Sequence, residues 1–134
     1  MNIEEALLKH MDWKARFIRA VLEQEHMNEL IIGRDDCCEL GQWLQNEGKR
    51  KYSSLASYKT CINKHTAFHV EAQKLVSAIN ERRDAEANAM LKSNSNLSIA
   101  IVEVFIAFVR LKQEAGERNN EECELIFSKS GVFF

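Results

Sequence analysis

The sequence contains no proline and only five glycines among its 134 residues. Proline and glycine are the residues that most often interrupt helices and build the turns between strands. Runs of β-branched residues are also few. These absences exclude a turn-rich β architecture and permit long, uninterrupted helices.

No charge of either sign is in large excess, because 18 Lys and Arg residues stand against 20 Asp and Glu residues. Such a chain lacks the basic footprint of a nucleic-acid surface or of a polybasic membrane anchor. Its longest apolar segment, residues 97–109, contains Glu103 and is shorter than the roughly 20 residues that span a bilayer. We therefore expect no nucleic-acid partner and no membrane partner.

The first residues, Met1–Glu5, lack the basic region and apolar stretch of a secretory signal peptide. A cytoplasmic location is the resulting expectation. In that compartment the cysteines, Cys37, Cys38, Cys61 and Cys123, are expected to be free thiols or metal ligands rather than a disulfide framework.

Apolar residues recur at steps of three and four, which predicts amphipathic helices. The predicted helices cover residues 3–30, 52–79, 81–92 and 97–111. A short extra helix is predicted after residues 34–36, with Asp36 as its cap, Glu39 completing a capping-box-like pattern, and a polar loop at 45–51 after it. Gly33 is predicted to end the first helix, and residues 93–96 form either a break or a polar face.

The sequence thus predicts an all-α fold, a four-helix bundle with a short extra helix. The bundle is assigned to residues 1–112, and residues 113–134 form a C-terminal tail without a predicted role. The last helix is apolar over much of its circumference, with Leu97, Phe105 and Leu111 on one side. Such a helix is either deeply buried or shared with a partner chain.

Histidine and cysteine positions carry the chemical signal. His65 and His69 are one helical turn apart, so both imidazoles project from the same face. His10 on the first helix and Cys38 on the short helix can meet them if the helices pack antiparallel. Three imidazoles and one thiolate suit a tetrahedral zinc ion. Spacing alone does not decide whether these residues bind a metal, because hydrogen-bonded core histidines show the same pattern. It also does not decide between Cys38 and Cys61, because Cys61 extends the His65–His69 face by another turn.

Three short motifs resemble the chemoreceptor zinc-binding (CZB) domain family. Residues 10–14 (HMDWK) are similar to its H-x-x-W-[KR] element, residues 38–43 (CELGQW) to its C-x-L-G-x-W element, and residues 65–69 (HTAFH) to its H-x-x-F-H element. The resemblance implies a helical bundle that forms a homodimer. It also implies one zinc ion per subunit, held by three histidines and one cysteine.

Position by position, the resemblance makes His10, Cys38, His65 and His69 the zinc ligands. It selects Cys38 because this residue stands two positions before the Leu-Gly pair. Cys37 is then an extra thiol beside the ligand, either a minor alternative ligand or an oxidation partner. The other motif residues suggest physical roles. Gly41 is expected to let a neighbouring helix approach closely, whereas Trp13 and Trp43 are expected to shield the metal.

The predicted function is that of a zinc-binding regulatory or sensory domain. Cys38 lies near a helix N-terminus, which favours its thiolate form, and its oxidation is expected to release zinc. Similar domains regulate chemoreceptors and diguanylate cyclases in response to zinc or to oxidants such as hypochlorous acid. A signalling protein of one of these two kinds is therefore the expected partner, besides a second copy of the chain.

Two other functions compete with this prediction. One is a structural helical adaptor that holds no metal. The other is a zinc hydrolase, which needs an open coordination position and a nearby base such as Glu71. Four good ligands would close the site, and the sequence contains no H-E-x-x-H pattern, so we predict that the chain is not an enzyme.

Overall fold

The structure, a computed structural model, describes residues 3–118. All regular elements in this range are helical, which confirms the predicted all-α helical bundle. In chain order the helices are α1 (Ile3–Met11), α2 (Trp13–Glu23), α3 (Glu29–Ile32), α4 (Glu39–Trp43), α5 (Lys49–Tyr52), α6 (Ala56–Asn80), α7 (Asp84–Met90) and α8 (Asn96–Arg118), with a π-helical turn at Leu44–Gly48 between α4 and α5.

Helices α6 and α8 pack along each other and form the centre of the bundle. Helix α1 packs against α4 and α8, while α2, α3 and α7 pack against α6. The core between them is formed by large apolar side chains that include Phe17, Phe68, Leu75, Val104 and Phe108. Within residues 3–118, no helix combines the length and the apolar character that a membrane crossing requires.

The predicted first helix over residues 3–30 is wrong in its C-terminal part, because α2 ends at Glu23. Gln24 adopts the left-handed conformation (φ 55°), and the last turn closes with backbone hydrogen bonds to the carbonyl oxygens of Ala20 and Val21. Gly33, the predicted stop, follows the separate helix α3 and is right-handed (φ −71°). A non-glycine residue thus supplies the left-handed end that the sequence pattern assigned to glycine.

The chain between α2 and α3 is fastened to α6 by Asn80. The Asn80 side chain accepts a hydrogen bond from the Met27 amide at 2.9 Å and donates one to the Met27 carbonyl oxygen at 2.8 Å. This pair of bonds satisfies both backbone groups of a residue that is buried but not helical. It therefore helps to define where α3 lies on α6.

The predicted cap of the short helix is also wrong. Cys38, not Asp36, is the N-cap of α4, with extended backbone angles and a sulfur atom that accepts a hydrogen bond from the Gly41 amide. Asp36 forms an exposed ion pair with Arg34 at 3.0 Å. Glu39 pairs with Lys9 of α1 at 3.1 Å, across the contact between α1 and α4.

Residues 45–51, predicted as a polar loop, are helical. The π-helical turn brings Gly48 against the ring of Trp43, where a Cβ atom would lie 2.7 Å from Cζ3. The Tyr58 hydroxyl donates a hydrogen bond of 2.7 Å to the Leu44 carbonyl oxygen in the same turn. Because these tertiary contacts stabilise the turn, the helical path continues through a segment with weak helical periodicity, and α6 begins only at Ala56.

Residues 93–96 contain a true break before α8, and Ser95 accepts a hydrogen bond of 3.1 Å from the Ser98 amide at the start of that helix. Phe105, which the periodicity places on the same side of this helix as Leu97 and Leu111, is 46% exposed, whereas those two residues are buried. Helix α8 continues past residue 112 to Arg118. The division between residues 1–112 and 113–134 stays a prediction, because residues 119–134 lie outside the described part of the chain.

Candidate metal centre

Three histidines and one cysteine from separate parts of the chain converge in the bundle. The ligand atoms of His10, Cys38, His65 and His69 all lie within 4.8 Å of one another. His10 comes from α1, Cys38 from the cap of α4, and the other two from adjacent turns of α6. Cys61 lies outside this cluster and is fully buried. Cys38, and not Cys61, is thus the cysteine that the structure brings together with the three histidines.

The separations among Cys38, His65 and His69 fit three corners of a tetrahedral zinc site. The Cys38 Sγ atom lies 3.1 Å from Nε2 of His65 and 3.5 Å from Nε2 of His69, and the two Nε2 atoms are 3.1 Å apart. Zinc bonds of about 2.0–2.3 Å imply edges of about 3.3–3.7 Å between ligand atoms of a tetrahedron. The three distances among Cys38, His65 and His69 match these edges to within a few tenths of an ångström, whereas the separations that include His10 reach up to 4.8 Å. Imidazole nitrogen and thiolate sulfur are donors that zinc prefers.

The orientation of His69 is determined by a hydrogen bond outside the cluster. Its Nδ1 atom lies 2.7 Å from the carbonyl oxygen of Ile32 at the end of α3. Because a carbonyl only accepts, we assign the proton of neutral His69 to Nδ1. The lone pair of Nε2 then faces the cluster, which is the arrangement of a metal-binding histidine with an outer hydrogen-bond partner.

His10 is the clearest sign that the cluster is built for a ligand. Its side chain is 2% exposed, yet neither ring nitrogen has a hydrogen-bond partner. Buried polar atoms of this kind are rare in native proteins, and a metal ion would satisfy one of the two. Burial, reinforced by His65 and His69, lowers the pKa of His10 to about 2, so the ring stays neutral.

The two histidines of α6 are also neutral at physiological pH. Burial, with a contribution from His69, lowers the pKa of His65 to about 3. Burial lowers the pKa of His69 as well, although its hydrogen bond to Ile32 opposes the shift. Neutral imidazoles are the form that binds metals, so all three rings are prepared for coordination.

Cys38 has two contacts that tie its sulfur to the fold. Sγ faces the histidines and also accepts the Gly41 amide at 3.3 Å. The backbone N–H groups at the start of α4 lower the pKa of Cys38, as expected of a helix N-terminus, but they do not decide the net shift in the metal-free protein. Burial raises the pKa of Cys38 and outweighs the backbone N–H groups of Gly41 and Leu40. A bound divalent cation supplies the positive charge that the short helix does not.

Gly41 is required by a close approach, as expected, but the neighbour is a backbone segment rather than another helix. A Cβ atom at position 41 would lie 1.8 Å from the carbonyl oxygen of Asp35 and 3.2 Å from Cε1 of His65. Any side chain there would push the segment before Cys38 away from α6. The absence of a side chain thus brings Cys38 to the histidines.

Aromatic packing around the cluster differs from the expectation for Trp43, whereas Trp13 lines the cleft beside His10 and Cys38. The ring that lies against the imidazoles is Phe68, whose centroid is 4.4 Å from that of His10 and 5.0 Å from that of His69. Trp43 instead packs against Tyr52 and Phe108 and joins α4 to α8. Phe68 belongs to the motif at residues 65–69, but the motif by itself gave no indication of this contact.

An open cleft of about 740 Å³ lies beside the cluster, lined in part by His10, Trp13, Arg16, Cys37 and Cys38. It gives solvent and small molecules a path toward the ligand sulfur. Cys37 is exposed, and its sulfur lies 3.6 Å from a carboxylate oxygen of its neighbour Asp36 rather than in the cluster.

Two residues near the cluster were missed by the sequence analysis. The Thr66 hydroxyl donates a hydrogen bond of 2.5 Å to the Asp35 carboxylate, next to the ligand His65. The acidic pair at positions 35 and 36, directly before the cysteines, was a usable signal for a carboxylate near the cluster.

Glu71, considered as a catalytic base, forms an ion pair with Lys74 at 3.1 Å and is outside the cluster.

A helical bundle with a buried cluster of three histidines and one cysteine belongs to the class of metal-binding helical domains. A family model described as the chemoreceptor zinc-binding domain matches residues 10–76, which is half of the chain. The chain therefore belongs to the chemoreceptor zinc-binding domain family, a family that binds zinc. No curated protein and no solved structure matched the chain.

Proposed function

We propose that this chain is a cytoplasmic zinc-dependent regulatory domain that responds to zinc level and to the oxidation of Cys38. The observation that carries the proposal is the position of one sulfur atom. Sγ of Cys38 faces the ligand nitrogens of α6 and also caps α4 through the Gly41 amide. A chemical change at this atom therefore acts on the metal site and on a helix at the same time.

A zinc ion bound by His10, Cys38, His65 and His69 would stabilise the Cys38 thiolate by its positive charge. It would also link the three segments that carry these residues. Other contacts of the segment from Asp35 to Trp43 with α6 include the hydrogen bond from Thr66 to Asp35 and the approach of Gly41 to His65. Without the zinc link, α4, a helix of five residues, keeps only the Cys38 cap, the ion pair of Glu39 with Lys9 and the packing of its buried side chains as support. Short helices are marginal without tertiary support, so α4 is the element whose position depends on the state of the site.

Oxidation changes the ligand chemistry of Cys38 directly. In the proposed step the thiolate sulfur gives up two electrons and gains an oxygen atom to form a sulfenic acid, while hypochlorous acid is reduced to chloride. The oxidised sulfur is a poorer ligand and a poorer hydrogen-bond acceptor for Gly41. The cleft beside Cys38 offers the oxidant a route to this sulfur.

The donor set supports regulation rather than catalysis. A catalytic zinc site keeps three protein ligands and one open position for water, whereas four donors here fill a tetrahedron. The cluster contains no carboxylate, and Glu71 is paired with Lys74. These features favour a site whose output is a change of conformation.

The outward face of α8 supports a homodimer as the working form. Ile99, Val102, Phe105 and Ile106 are each between 42% and 55% exposed, and Val70 of α6 lines a groove with Ile99. An apolar surface of this kind is typical of protein–protein contact. We propose that a second copy of the chain covers it, and that the dimer passes the state of α4 to a signalling protein such as a chemoreceptor or a diguanylate cyclase.

The test is quantification of zinc in protein purified without added metal, repeated after treatment with hypochlorous acid. We expect one zinc ion per chain before treatment and loss of zinc in step with oxidation of Cys38. A protein that holds no zinc would contradict the proposal and favour the metal-free adaptor. Full retention of zinc by protein oxidised at Cys38 would contradict the redox response and leave zinc level as the signal.

A further inference from the structure

Asp35 contacts both α4, which Cys38 caps, and α6, which carries His65 and His69. Its carboxylate Oδ2 accepts the hydrogen bond from Oγ1 of Thr66, the residue that follows His65 on α6. Its backbone carbonyl oxygen lies against Gly41 of α4, so closely that a Cβ atom there would be 1.8 Å away. A single residue therefore connects the chain before Cys38 to α6 by its side chain and to α4 by its backbone.

The charge of Asp35 is not balanced by a basic side chain. Among the ion pairs formed within residues 3–118, none includes Asp35, whereas the adjacent Asp36 pairs with Arg34 at 3.0 Å. The residue is also half-buried, so solvent screens its charge less than that of a surface carboxylate. Asp35 thus differs from its neighbour in both partner and environment.

The negative charge reaches three of the four donors. Burial lowers the pKa of both His65 and His69, and the charge of Asp35 opposes each of these shifts. Burial raises the pKa of Cys38, and the same charge adds to that rise. Each effect has the sign expected of a carboxylate close to the cluster.

The charge balance of a loaded site explains what such a carboxylate would do. A zinc ion with one thiolate and three neutral imidazoles keeps one net positive charge in a mostly buried position. A nearby anion stabilises this charge, and the stabilisation is larger where water is partly excluded. Outer groups of this kind also hold the ligands in orientation, and changing them typically costs about 10–100-fold in metal affinity.

We propose that Asp35, held in place by Thr66, is a positioning residue that strengthens zinc binding from outside the ligand set. It keeps the Cys38 segment against α6 and offsets the positive charge of the loaded site. This inference rests on the proposed zinc-dependent function.

The test compares the zinc dissociation constants of D35N, D36N and the wild-type protein, measured with zinc in competition with a chromophoric chelator. Asparagine keeps the shape and an oxygen that accepts from Thr66, so D35N removes mainly the charge. We expect D35N to bind zinc about 10-fold more weakly. The control D36N changes an equal charge one residue away and should stay within about 2-fold of wild type, because Asp36 is exposed and paired with Arg34.

A second readout separates charge from a simple structural defect. Cobalt bound to D35N should give the same visible absorption spectrum as cobalt bound to wild type, since the four donors and their geometry are unchanged. Equal zinc affinity of D35N and wild type would overturn the inference, as would an equal loss in D36N. A D35N spectrum that reports a different coordination geometry would also overturn it, because the effect would then arise from a distorted site.

The variant T66V covers the case in which D35N does not fold. Valine has the shape of threonine but cannot donate to Asp35, so we expect weaker zinc binding than in the wild type. Wild-type affinity in T66V would contradict the role of the tether. Failure of the wild-type protein to bind zinc would instead contradict the proposed function, so the two failures are distinguishable.

Discussion

The sulfur of Cys38 lies 3.3 Å from the amide nitrogen of Gly41 and accepts its hydrogen bond. The atom that faces the histidines is thus also the cap of the helix that follows it. Side-chain oxygen caps contribute about 1 kcal/mol to helix stability, and a cysteine sulfur, a weaker acceptor, contributes less. This relationship couples the chemistry of one side chain to the position of α4.

Replacing Cys38 with alanine removes one of four donors together with the cap. We expect C38A to weaken zinc binding by more than the roughly 100-fold upper range seen for groups outside a ligand set. Oxidant-triggered zinc release should also disappear. The measurement is zinc affinity by chelator competition before and after treatment with hypochlorous acid.

The matched control is C61A on α6. Cys61 is fully buried, and burial raises its pKa to about 12, so it is an unreactive core thiol. We expect C61A to lose about 1 kcal/mol of stability and to keep wild-type zinc affinity and release. If C61A lost zinc while C38A retained it, the metal site would have to lie on α6.

Zinc binding near neutral pH is expected to release about one proton per ion. The proton comes from Cys38, because burial raises the pKa of this thiol above its ordinary value. Burial lowers the pKa of His10 to about 2 and that of His65 to about 3, so these rings are already neutral and release none. Calorimetric titrations in buffers of different ionisation enthalpy measure this number, and release of two or more protons would contradict the assignment.

His10 should make the metal-free protein less stable than it would be with an apolar residue. Both ring nitrogens are buried without partners, and each such group costs about 1–3 kcal/mol. We therefore expect H10L to unfold at a higher temperature than the wild type in the presence of a chelator. With zinc the order should reverse, because only the wild type gains the stability of the bound metal. A chelator-treated H10L that is less stable than wild type would show that the ring contributes by packing instead.

Gly41 and Gly116 offer a matched pair of glycine-to-alanine changes. In G41A the new Cβ atom would meet the Asp35 carbonyl oxygen at 1.8 Å, so we expect a loss of about 1–3 kcal/mol and weaker zinc binding. In G116A no atom lies within 4 Å of the new methyl group, and the residue is in α8. Alanine there should raise stability by up to about 1 kcal/mol. Thermal unfolding checks both, and a neutral G41A would contradict the close approach.

The proposed dimer is tested by placing a charge on the outward face of α8. Val102 is 55% exposed, and we expect V102E to convert a dimer into a monomer at micromolar concentration, as measured by light scattering. L22E is the control, since Leu22 on α2 is 77% exposed and outside the proposed contact. A wild-type protein that is already monomeric, or a loss of dimer in L22E alone, would argue against α8 as the interface.

Local signals predicted most of the fold. The all-α architecture and the long helices followed from the absence of proline and from apolar periodicity. This periodicity is a local signal, because residues three and four positions apart in the sequence lie on the same face of a helix. The errors arose at a helix end that a non-glycine residue forms and at a segment where contacts between side chains and the turn override weak local periodicity. Gln24 ends α2 in a left-handed conformation, and contacts of Trp43 and Tyr58 keep residues 44–48 helical.

By itself the sequence determined which residues offer suitable donor atoms, and, with the help of family motifs, which four of them to select. Only the tertiary structure decided that these atoms meet. Their convergence depends on three contacts. The Asp35 carbonyl oxygen lies close to Gly41, the Ile32 carbonyl oxygen orients His69, and the Phe68 ring packs against His10. The contacts of Ile32 with His69 and of Phe68 with His10 join residues far apart in the chain, and no local pattern of side chains reports how distant segments pack.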